Sequence, residues 1–452
     1  MHPYLARHVV YPVLQWKSGG QVLPLLRNLE KSQWYQPEHL QELQWTKLNL
    51  LLQHAYHHVP YYGAVFDASG IHPHDSRSLD DFKRLPTLTK EVVRDGGRGL
   101  MAANISGPLV ERRTSGSTGI PLVVYVSPRT RDAWMAASLR TQRWWGLDVG
   151  VRQLKLVNPH GKYRGTLLKQ YWLMNNAEYS VFELDEAALE QLYRQVVRSR
   201  CEVLSGYPSA LTYFAQHVAG RGPRSELRLK AILTTAEMLY PDHRELLRQV
   251  FGCPVINEYG SSECGYLAGE CPSGNLHVAA ENALIEFEKG APSDGDDSGG
   301  ELVVTDLNNF AMPLIRYRIG DLGAPGQECP CGRSLPVIRL RVGRTEDLVT
   351  LPDGRKVDGA VFGVAIEELT RQGVAVKQFR AIQHAPDYIE VLIATADAAH
   401  QALRGLGNQI QKLLGTRMTV VIKPVDHIPV EPTGKLRRFI SRIGHDAEDG
   451  GH

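Results

Sequence analysis

The chain has 452 residues, which is long for one hydrophobic core and predicts at least two domains. Hydrophobic residues make up 43% and charged residues 22%, and the formal net charge of +2 gives no electrostatic reason to expect a nucleic-acid partner. Pro12 interrupts the apolar N-terminal segment, and no run reaches the roughly 18 apolar residues that a membrane-spanning helix needs. The sequence therefore predicts a cytoplasmic protein without a membrane span.

The first distinctive segment is RRTSGSTGIP at positions 112–121, which precedes the strand-like LVVYV. Its glycines allow backbone N–H groups to converge on a ligand. Its hydroxyl side chains can donate hydrogen bonds to phosphate oxygens: Thr114, Ser115, Ser117 and Thr118. The spacing is not that of a Walker loop, and a linker has the same composition. Taken alone, the segment is compatible with a phosphate-binding loop or a connector.

The middle of the chain alternates strand and helix patterns. CEVLSG, LKAILTTAE and PVINEYG are typical of strands, and Pro208 and Pro241 each begin a helix with an apolar stripe. Successive units of this kind predict an α/β fold with a mostly parallel sheet covered by helices. Ligands in such sheets bind at the carboxyl ends of the strands, which here are SGYP, TTAE and EYGSSE.

Beyond residue 344 the pattern predicts a separate, smaller α+β domain. LVTLPDGRKV indicates a hairpin, and VKQFRAIQH, YIEVLIATA and MTVVIKP are typical of strands around one helix. The expected organisation is an N-terminal core over 1–343, a C-terminal lid over 344–443 and a disordered tail over 444–452.

Six short segments resemble, in order, the signatures of the adenylate-forming superfamily, which includes acyl- and aryl-CoA ligases. TSGSTGIP resembles its phosphate loop, TTAEM and NEYGSSE its adenine segments, YRIGDLG its ribose motif, GRTEDL its hinge and PTGKLRR its catalytic-lysine motif. The short chain, Leu122 in place of the usual lysine, and the segments GECPSGNLHV and ECPCGRSLP are most similar to the phenylacetate-CoA ligase and CapK branch. Members of this branch are often dimers, so a homodimer is a further expectation.

The resemblance implies a role for individual residues. The ATP site would comprise Thr114, Ser115, Gly116, Ser117, Thr118, Gly119, Ala236, Glu237, Glu258, Tyr259, Gly260, Ser261, Ser262, Asp321 and Arg344. Lys435 would supply the catalytic counter-charge from the mobile lid, and Glu263 would be catalytic as a ligand of Mg²⁺. Glu346 would be the hinge, where the family usually has aspartate. Each also has an ordinary structural explanation: Lys435 as an exposed lysine, Glu263 as the first residue of a helix.

A second candidate site contains cysteine and histidine. Three thiolates and one imidazole make a complete tetrahedral set for Zn²⁺: Cys271, His277, Cys329 and Cys331. Four protein ligands leave no position for water, so such a site would be structural, and it would join the segment after EYGSSE to the segment beyond GDLG. The alternative is four buried or inert residues. Cys264 could replace Cys271, whereas Cys201 and Cys253 are interpreted as small core residues.

The reaction implied by the resemblance has two steps. ATP and a carboxylic acid give an acyl-adenylate and pyrophosphate, and a thiol, expected to be coenzyme A, then displaces AMP. LVNPHGKY and SGYPSAL are compatible with a pocket for an aryl or other small acid. One alternative is transfer to an amine or a carrier protein in polysaccharide or secondary-metabolite biosynthesis. Another is a non-catalytic, zinc-stapled protein that binds a nucleotide or an acid.

Overall fold

The computed structural model describes residues 2–73, 78–113, 122–157, 175–180, 185–221, 226–288, 299–344, 348–395, 401–429 and 436–443. For residues 80, 157, 342–344, 356, 358, 360 and 367 only the backbone is described. Among the described helices, none has both the length and the apolar character required to cross a bilayer.

The region before the first strand is helical, although its sequence offered no motif. The helices are α1 (Pro3–Leu5), α2 (Tyr11–Ser18), α3 (Val22–Ser32), α4 (Pro37–His58), α5 (Pro60–Ser69), α6 (Leu79–Lys83) and α7 (Lys90–Gly96). A π-helical stretch, Ala6–Val10, connects α1 to α2, and a 3-10 turn, Gly97–Leu100, follows α7. Helices α4 and α5 begin at prolines, where the missing N–H has no intrahelical partner to lose.

A large mixed sheet forms the centre of the molecule. Its strands are β3 (Gln153–Val157), β4 (Asn176–Ser180), β5 (Val203–Gly206), β6 (Ala231–Thr234), β7 (Val255–Ser261), β8 (Gly265–Glu270), β9 (Leu276–Val278), β10 (Ala283–Glu288), β11 (Gly300–Asp306), β12 (Tyr317–Pro325) and β13 (Val337–Arg344). Within the described part of the chain these eleven strands run in the order β10-β11-β12-β13-β9-β8-β7-β6-β5-β3-β4. A separate hairpin consists of β1 (Val110–Arg113) and β2 (Val123–Val126).

The direction of the strands changes at β7. Strands β4, β3, β5, β6 and β7 pair in parallel. All pairs in the other half of the sheet, which runs β7-β8-β9-β13-β12-β11-β10, are antiparallel. Helix α8 (Pro128–Trp144) precedes β3, and the crossovers from β4 to β7 contain α9 (Glu186–Arg198), α10 (Pro208–Ala219) and α11 (Pro241–Phe251). The predicted α/β class is confirmed, and the predicted strand-and-helix alternation forms the parallel half.

The C-terminal unit has its own core. It contains the hairpin of β14 (Leu348–Thr350) and β15 (Lys356–Asp358), the helices α12 (Ala360–Arg371) and α13 (Ala402–Leu414), and the strands β16 (Val376–Ala385), β17 (Tyr388–Thr395), β18 (Thr419–Val425) and β19 (Phe439–Ser441). Its sheet has the order β18-β17-β16-β19. Buried residues between Val349 and Phe439 make one apolar cluster from this unit alone. The boundary at 343 and 344 stays a prediction, as does the disordered tail, which lies outside the described residues.

The N-terminal helices are joined to the central sheet by buried polar contacts. Arg140 of α8 donates to Glu281, with 2.7 Å between Nη1 and Oε1, and both side chains are almost fully buried. The Ser32 hydroxyl at the end of α3 donates to the same carboxylate oxygen. Removing either charge would leave the other buried without compensation, so this contact fixes the helices against the strands that carry the site.

Candidate active site

The turn between β7 and β8 lies where the parallel half of the sheet ends. Gly265 has a φ of 65°, and a Cβ on Gly260 would lie 2.2 Å from the Gly265 carbonyl oxygen. The Cys264 N–H donates to the Ser261 hydroxyl, with 3.0 Å between the two atoms. The turn is therefore closed tightly, and both glycines are required by its geometry. It presents Ser262 and Glu263 at the end of strand β7.

Glu263 is buried and is held by a residue from a second motif. The Tyr317 hydroxyl, at the start of β12, donates to Glu263 Oε1 over 3.1 Å. Burial, and then the Glu263 charge, raise the pKa of Tyr317 far above its ordinary value, so the phenol stays a donor. NEYGSSE and YRIGDLG therefore meet in space. The sequence did not single out Tyr317, because a tyrosine that begins a strand is more often a core residue.

The entrance to the predicted phosphate loop lies beside the same turn. Strand β1 ends at Arg113, directly before the loop, and Arg112 Nε makes a long hydrogen bond of 3.5 Å to the Ser262 carbonyl oxygen. Arg112 is a cation near this site that sequence reasoning missed, although it opens the quoted segment RRTSGSTGIP. The predicted loop residues lie outside the described part of the chain: Thr114, Ser115, Gly116, Ser117, Thr118 and Gly119.

The predicted adenine and ribose segments also meet. The Tyr259 hydroxyl donates to Asp321 Oδ2, with 2.7 Å between the oxygens. Asp321 of β12 pairs with Arg344 of β13 in the antiparallel register. The backbone therefore places Arg344 directly opposite Asp321, the residue predicted to bind the ribose. The side chain of Arg344 is not described. Residues from β7, β12 and β13, which are separate in sequence, therefore lie close together.

The loop after β6 contains a residue in a rarely occupied conformation. Ala236 has a φ of 67°, in the left-handed region that residues with a Cβ seldom adopt. Such strain costs on the order of 1–3 kcal/mol and is concentrated at functional sites. This observation supports a role for TTAEM in binding, which stays a prediction.

Two glutamates that the resemblance assigned to the ATP site have side-chain carboxyl groups that are hydrogen-bonded to other protein groups. The Glu237 carboxylate accepts from Ser209 N–H and from the Ser209 hydroxyl, each over 3.0 Å, at the start of α10. Glu258 accepts from the Ser138 hydroxyl over 3.0 Å, and burial raises the pKa of its carboxyl. A nucleotide contact from either residue is therefore expected to come from the backbone.

The predicted cysteine and histidine set converges on one point. One donor atom from each of Cys271, His277, Cys329 and Cys331 lies within 4.8 Å of the others. Cys271 Sγ and Cys329 Sγ are 3.5 Å apart, and Cys331 Sγ lies 3.2 Å from His277 Nε2. Sulfur ligands of a tetrahedral Zn²⁺, at about 2.3 Å from the metal, lie about 3.8 Å from one another. The four donors fit a zinc ion of this geometry.

Neighbouring groups orient these donors. His277 Nδ1 lies 3.0 Å from the Leu335 carbonyl oxygen, which can only accept, so Nδ1 carries the proton and Nε2 faces Cys331. Asn275 Nδ2 donates to Cys329 Sγ over 3.2 Å. Cys271 and His277 are buried, whereas Cys329 and Cys331 are half-buried.

The remaining cysteines are separate from this centre. Cys264 belongs to the main apolar core, and burial raises the pKa of its thiol well above the ordinary value. Cys264 is not part of the donor group. Cys271 is part of it, so no substitute for Cys271 is required. Burial also raises the pKa of Cys201 to about 11 and that of Cys253 to about 12. These thiols are unreactive at neutral pH.

The comparisons with known proteins agree on one family. No family model matches the sequence. The chain is 27% identical over 445 residues to the phenylacetate-coenzyme A ligase of Thermus thermophilus, covering 90% of this chain and 99% of that protein. It is 23% identical over 374 residues to protein CapK of Staphylococcus aureus, covering 81% of each. These relatives confirm the predicted resemblance to the phenylacetate-CoA ligase and CapK branch of the adenylate-forming superfamily.

A solved structure shows the same fold. The crystal structure of 2-hydroxyisobutyryl-CoA ligase in the postadenylation state superposes with a TM-score of 0.71 at 19% identity, covering 89% of this chain and 90% of that chain. The predicted fold is confirmed by this structure, and the predicted resemblance is confirmed by the sequence relatives. The individual roles of the site residues stay predictions, and Glu346 and Lys435 lie outside the described residues.

Proposed function

We propose that the protein is an AMP-forming acid–coenzyme A ligase. A carboxylate oxygen attacks the α-phosphorus of ATP and pyrophosphate leaves; the thiolate of coenzyme A then attacks the acyl carbon and AMP leaves. The observation that carries this proposal is the convergence of Glu263, Tyr259 and Asp321 with the entrance to the phosphate loop. The similarity over 90% of the chain to a phenylacetate-coenzyme A ligase supports an aryl or other small acid as substrate.

The site residues have distinct tasks in this proposal. Asp321 accepts the ribose hydroxyls, the turn at residues 261–265 and the loop after β6 hold the adenine, and the phosphate loop grips the pyrophosphate group. Glu263 offers a carboxylate oxygen to the Mg²⁺ that accompanies ATP. Lys435 neutralises charge on the α-phosphate as the two anions approach. The four-donor centre holds a structural Zn²⁺ that keeps the β8–β9 segment and the start of β13 in register.

The ribose role of Asp321 predicts a specific effect on ATP affinity. Asp321→Asn removes the charge and replaces one acceptor with a donor, so the KM for ATP should rise about 10- to 100-fold, as expected for hydrogen bonds to a charged group. The maximal rate should change much less. Steady-state kinetics with varied ATP measure both constants, and Asp353→Asn, in the exposed turn of the C-terminal hairpin, is the control. An unchanged KM for ATP would contradict the assignment.

The metal role of Glu263 predicts a dependence on Mg²⁺. Glu263→Gln keeps the shape and an acceptor for the Tyr317 hydroxyl but loses the charge, so adenylation should fall about 100-fold. Raising Mg²⁺ should restore part of the rate. Glu245→Gln, on the exposed side of α11, is the matched control. If both variants have the wild-type response to Mg²⁺, Glu263 is not a ligand.

The proposed reaction is tested by its products. The protein is incubated with Mg-ATP, coenzyme A and one acid from a panel that starts with phenylacetate and benzoate and extends to fatty and amino acids. We expect equal amounts of AMP and an acyl thioester, measured by liquid chromatography and mass spectrometry. AMP formation without a thioester would favour an amine or a carrier protein as acceptor. Nucleotide binding without AMP formation for any acid would favour the non-catalytic alternative. The homodimer and the cytoplasmic location stay predictions.

A further inference from the structure

The residue that follows Lys435 is held by the N-terminal unit. Leu436 N–H donates to Glu237 Oε1, with 3.1 Å between the two atoms. Glu237 is itself fixed by Ser209 at the start of α10. This carboxylate therefore joins the sheet loop after β6 to the chain segment that carries the catalytic-lysine motif.

Arg438 makes a second and stronger attachment to the same unit. Its Nη2 lies 2.9 Å from Asp242 Oδ2 and 2.5 Å from His243 Nε2, both in the first turn of α11. The guanidinium also lies over the Tyr240 ring, 4.2 Å from its centroid. Only 15% of the Arg438 side chain is exposed. The planar guanidinium of arginine can contact a carboxylate, an imidazole and an aromatic ring at the same time. The ammonium group of lysine is not planar and suits this site poorly.

The charges at this contact favour a stable attachment. Burial, and then the neighbouring Arg438 charge, lower the pKa of His243 well below its ordinary value, so the imidazole is neutral and accepts. Burial alone would raise the pKa of Asp242, but Arg438 and His243 lower it, and the net pKa lies below its ordinary value. Arg438 therefore contacts one anion and one neutral acceptor at neutral pH.

The C-terminal unit also binds the chain near Leu436 and Arg438. Arg380 of β16 donates to the Pro429 carbonyl oxygen through Nη2, over 3.0 Å, and to the Arg437 carbonyl oxygen through Nε, over 3.1 Å. The two carbonyls belong to residues on either side of Leu436 and of the predicted catalytic lysine in the sequence. Residues 429 and 437 are thus bound to the C-terminal unit by Arg380, and residues 436 and 438 are bound to the N-terminal unit.

We propose that Arg438 is a positioning residue for Lys435 in the adenylation step, and that it is dispensable for transfer to coenzyme A. The inference rests on the proposed function. Lys435 directly precedes Leu436 in the chain, so fixing residues 436–438 on α11 limits where the lysine can reach. The guanidinium is engaged by Asp242 and His243 and acts through this attachment, not on the reacting atoms. Reorientation of the lid for the second step would break the attachment.

The two half-reactions test this proposal separately. Adenylation is followed as acid-dependent exchange of pyrophosphate into ATP with phenylacetate, or with the panel acid that is turned over fastest. Transfer is followed by adding coenzyme A to the chemically prepared acyl-adenylate. Arg438→Ala should slow exchange about 10- to 100-fold, as expected for loss of a charged hydrogen bond, with the KM for ATP within about threefold. The transfer rate should stay within about threefold of wild type.

Three controls separate positioning from general destabilisation. Arg442→Ala removes an exposed arginine from the same unit and should leave both half-reactions unchanged. Arg438→Lys should recover only part of the exchange rate, because it keeps the charge and loses the planar fork. Hydrogen exchange should show a faster Leu436 amide in Arg438→Ala than in Arg442→Ala.

The outcomes distinguish the proposal from the function on which it rests. A selective loss of exchange with faster Leu436 exchange supports the positioning role. Equal losses in both half-reactions, with an active wild type, overturn the positioning role alone and leave the ligase intact. A wild-type protein that is inert in both assays overturns the proposed function, and the inference falls with it.

Discussion

Replacing Cys271 with serine is expected to abolish zinc binding and to destabilise the protein severely. The four donors lie within 4.8 Å of one another on two segments that are distant in sequence, so a bound metal ion would cross-link the two segments. Loss of a structural metal is among the few single changes that cost more than about 4 kcal/mol of unfolding free energy. Wild-type protein purified without chelator should contain one zinc ion per chain by elemental analysis, and Cys271→Ser should contain none.

The loss of zinc should be specific to the four donor residues, and it should lower the stability of the whole protein. Cys253→Ser changes a cysteine outside the donor group and should keep the full zinc content. Thermal unfolding should show a midpoint about 10 °C lower or more for Cys271→Ser, and a change of a few degrees at most for Cys253→Ser. Treatment of wild type with a strong chelator should reproduce the first result. Equal metal content and equal midpoints in the two variants would contradict the zinc assignment.

Replacing Lys435 with alanine is expected to stop adenylation almost completely while ATP still binds. Carboxylate attack on the α-phosphate brings two anions together, and an ammonium group that arrives with the lid stabilises the transition state more than the ground state. Loss of one such group reduces rates by about 100- to 1000-fold. Acid-dependent pyrophosphate exchange measures the loss, and calorimetry should give an ATP affinity within about threefold of wild type.

A matched control is available in the same unit. Lys412→Ala removes an exposed lysine from α13 and should leave exchange unchanged. Transfer from a prepared acyl-adenylate to coenzyme A should survive in Lys435→Ala, because no phosphoryl transfer occurs in that step. If Lys435→Ala and Lys412→Ala turn over equally, the catalytic assignment of Lys435 is wrong.

The parallel half of the fold and the donor cluster were predictable from sequence because their signals are local. Strand patterns ended by SGYP, TTAE and EYGSSE define β5, β6 and β7, and ligands gather at such strand ends. Three cysteines and one histidine make a complete tetrahedral donor set, so four residues spread over 61 positions could be grouped from the sequence alone.

The contacts that complete the site were not predictable because they join distant segments. Tyr317 reaches Glu263 only through the register of β12, and Glu237 was assigned to the nucleotide although its carboxylate binds Ser209 and Leu436. The N-terminal helices could not be placed from sequence, because their positions depend on contacts with residues far along the chain. The hydrogen bond from the Tyr62 hydroxyl to the Pro313 carbonyl oxygen is one example.

The most direct test of the account is isotope exchange between labelled pyrophosphate and ATP in the absence of coenzyme A. An enzyme that forms an acyl-adenylate should incorporate the label into ATP only when its acid is present, and coenzyme A should not be required. The same acid should be the one that gives the thioester when coenzyme A is added. Exchange that fails with every acid, or that proceeds equally without acid, would contradict the adenylation mechanism.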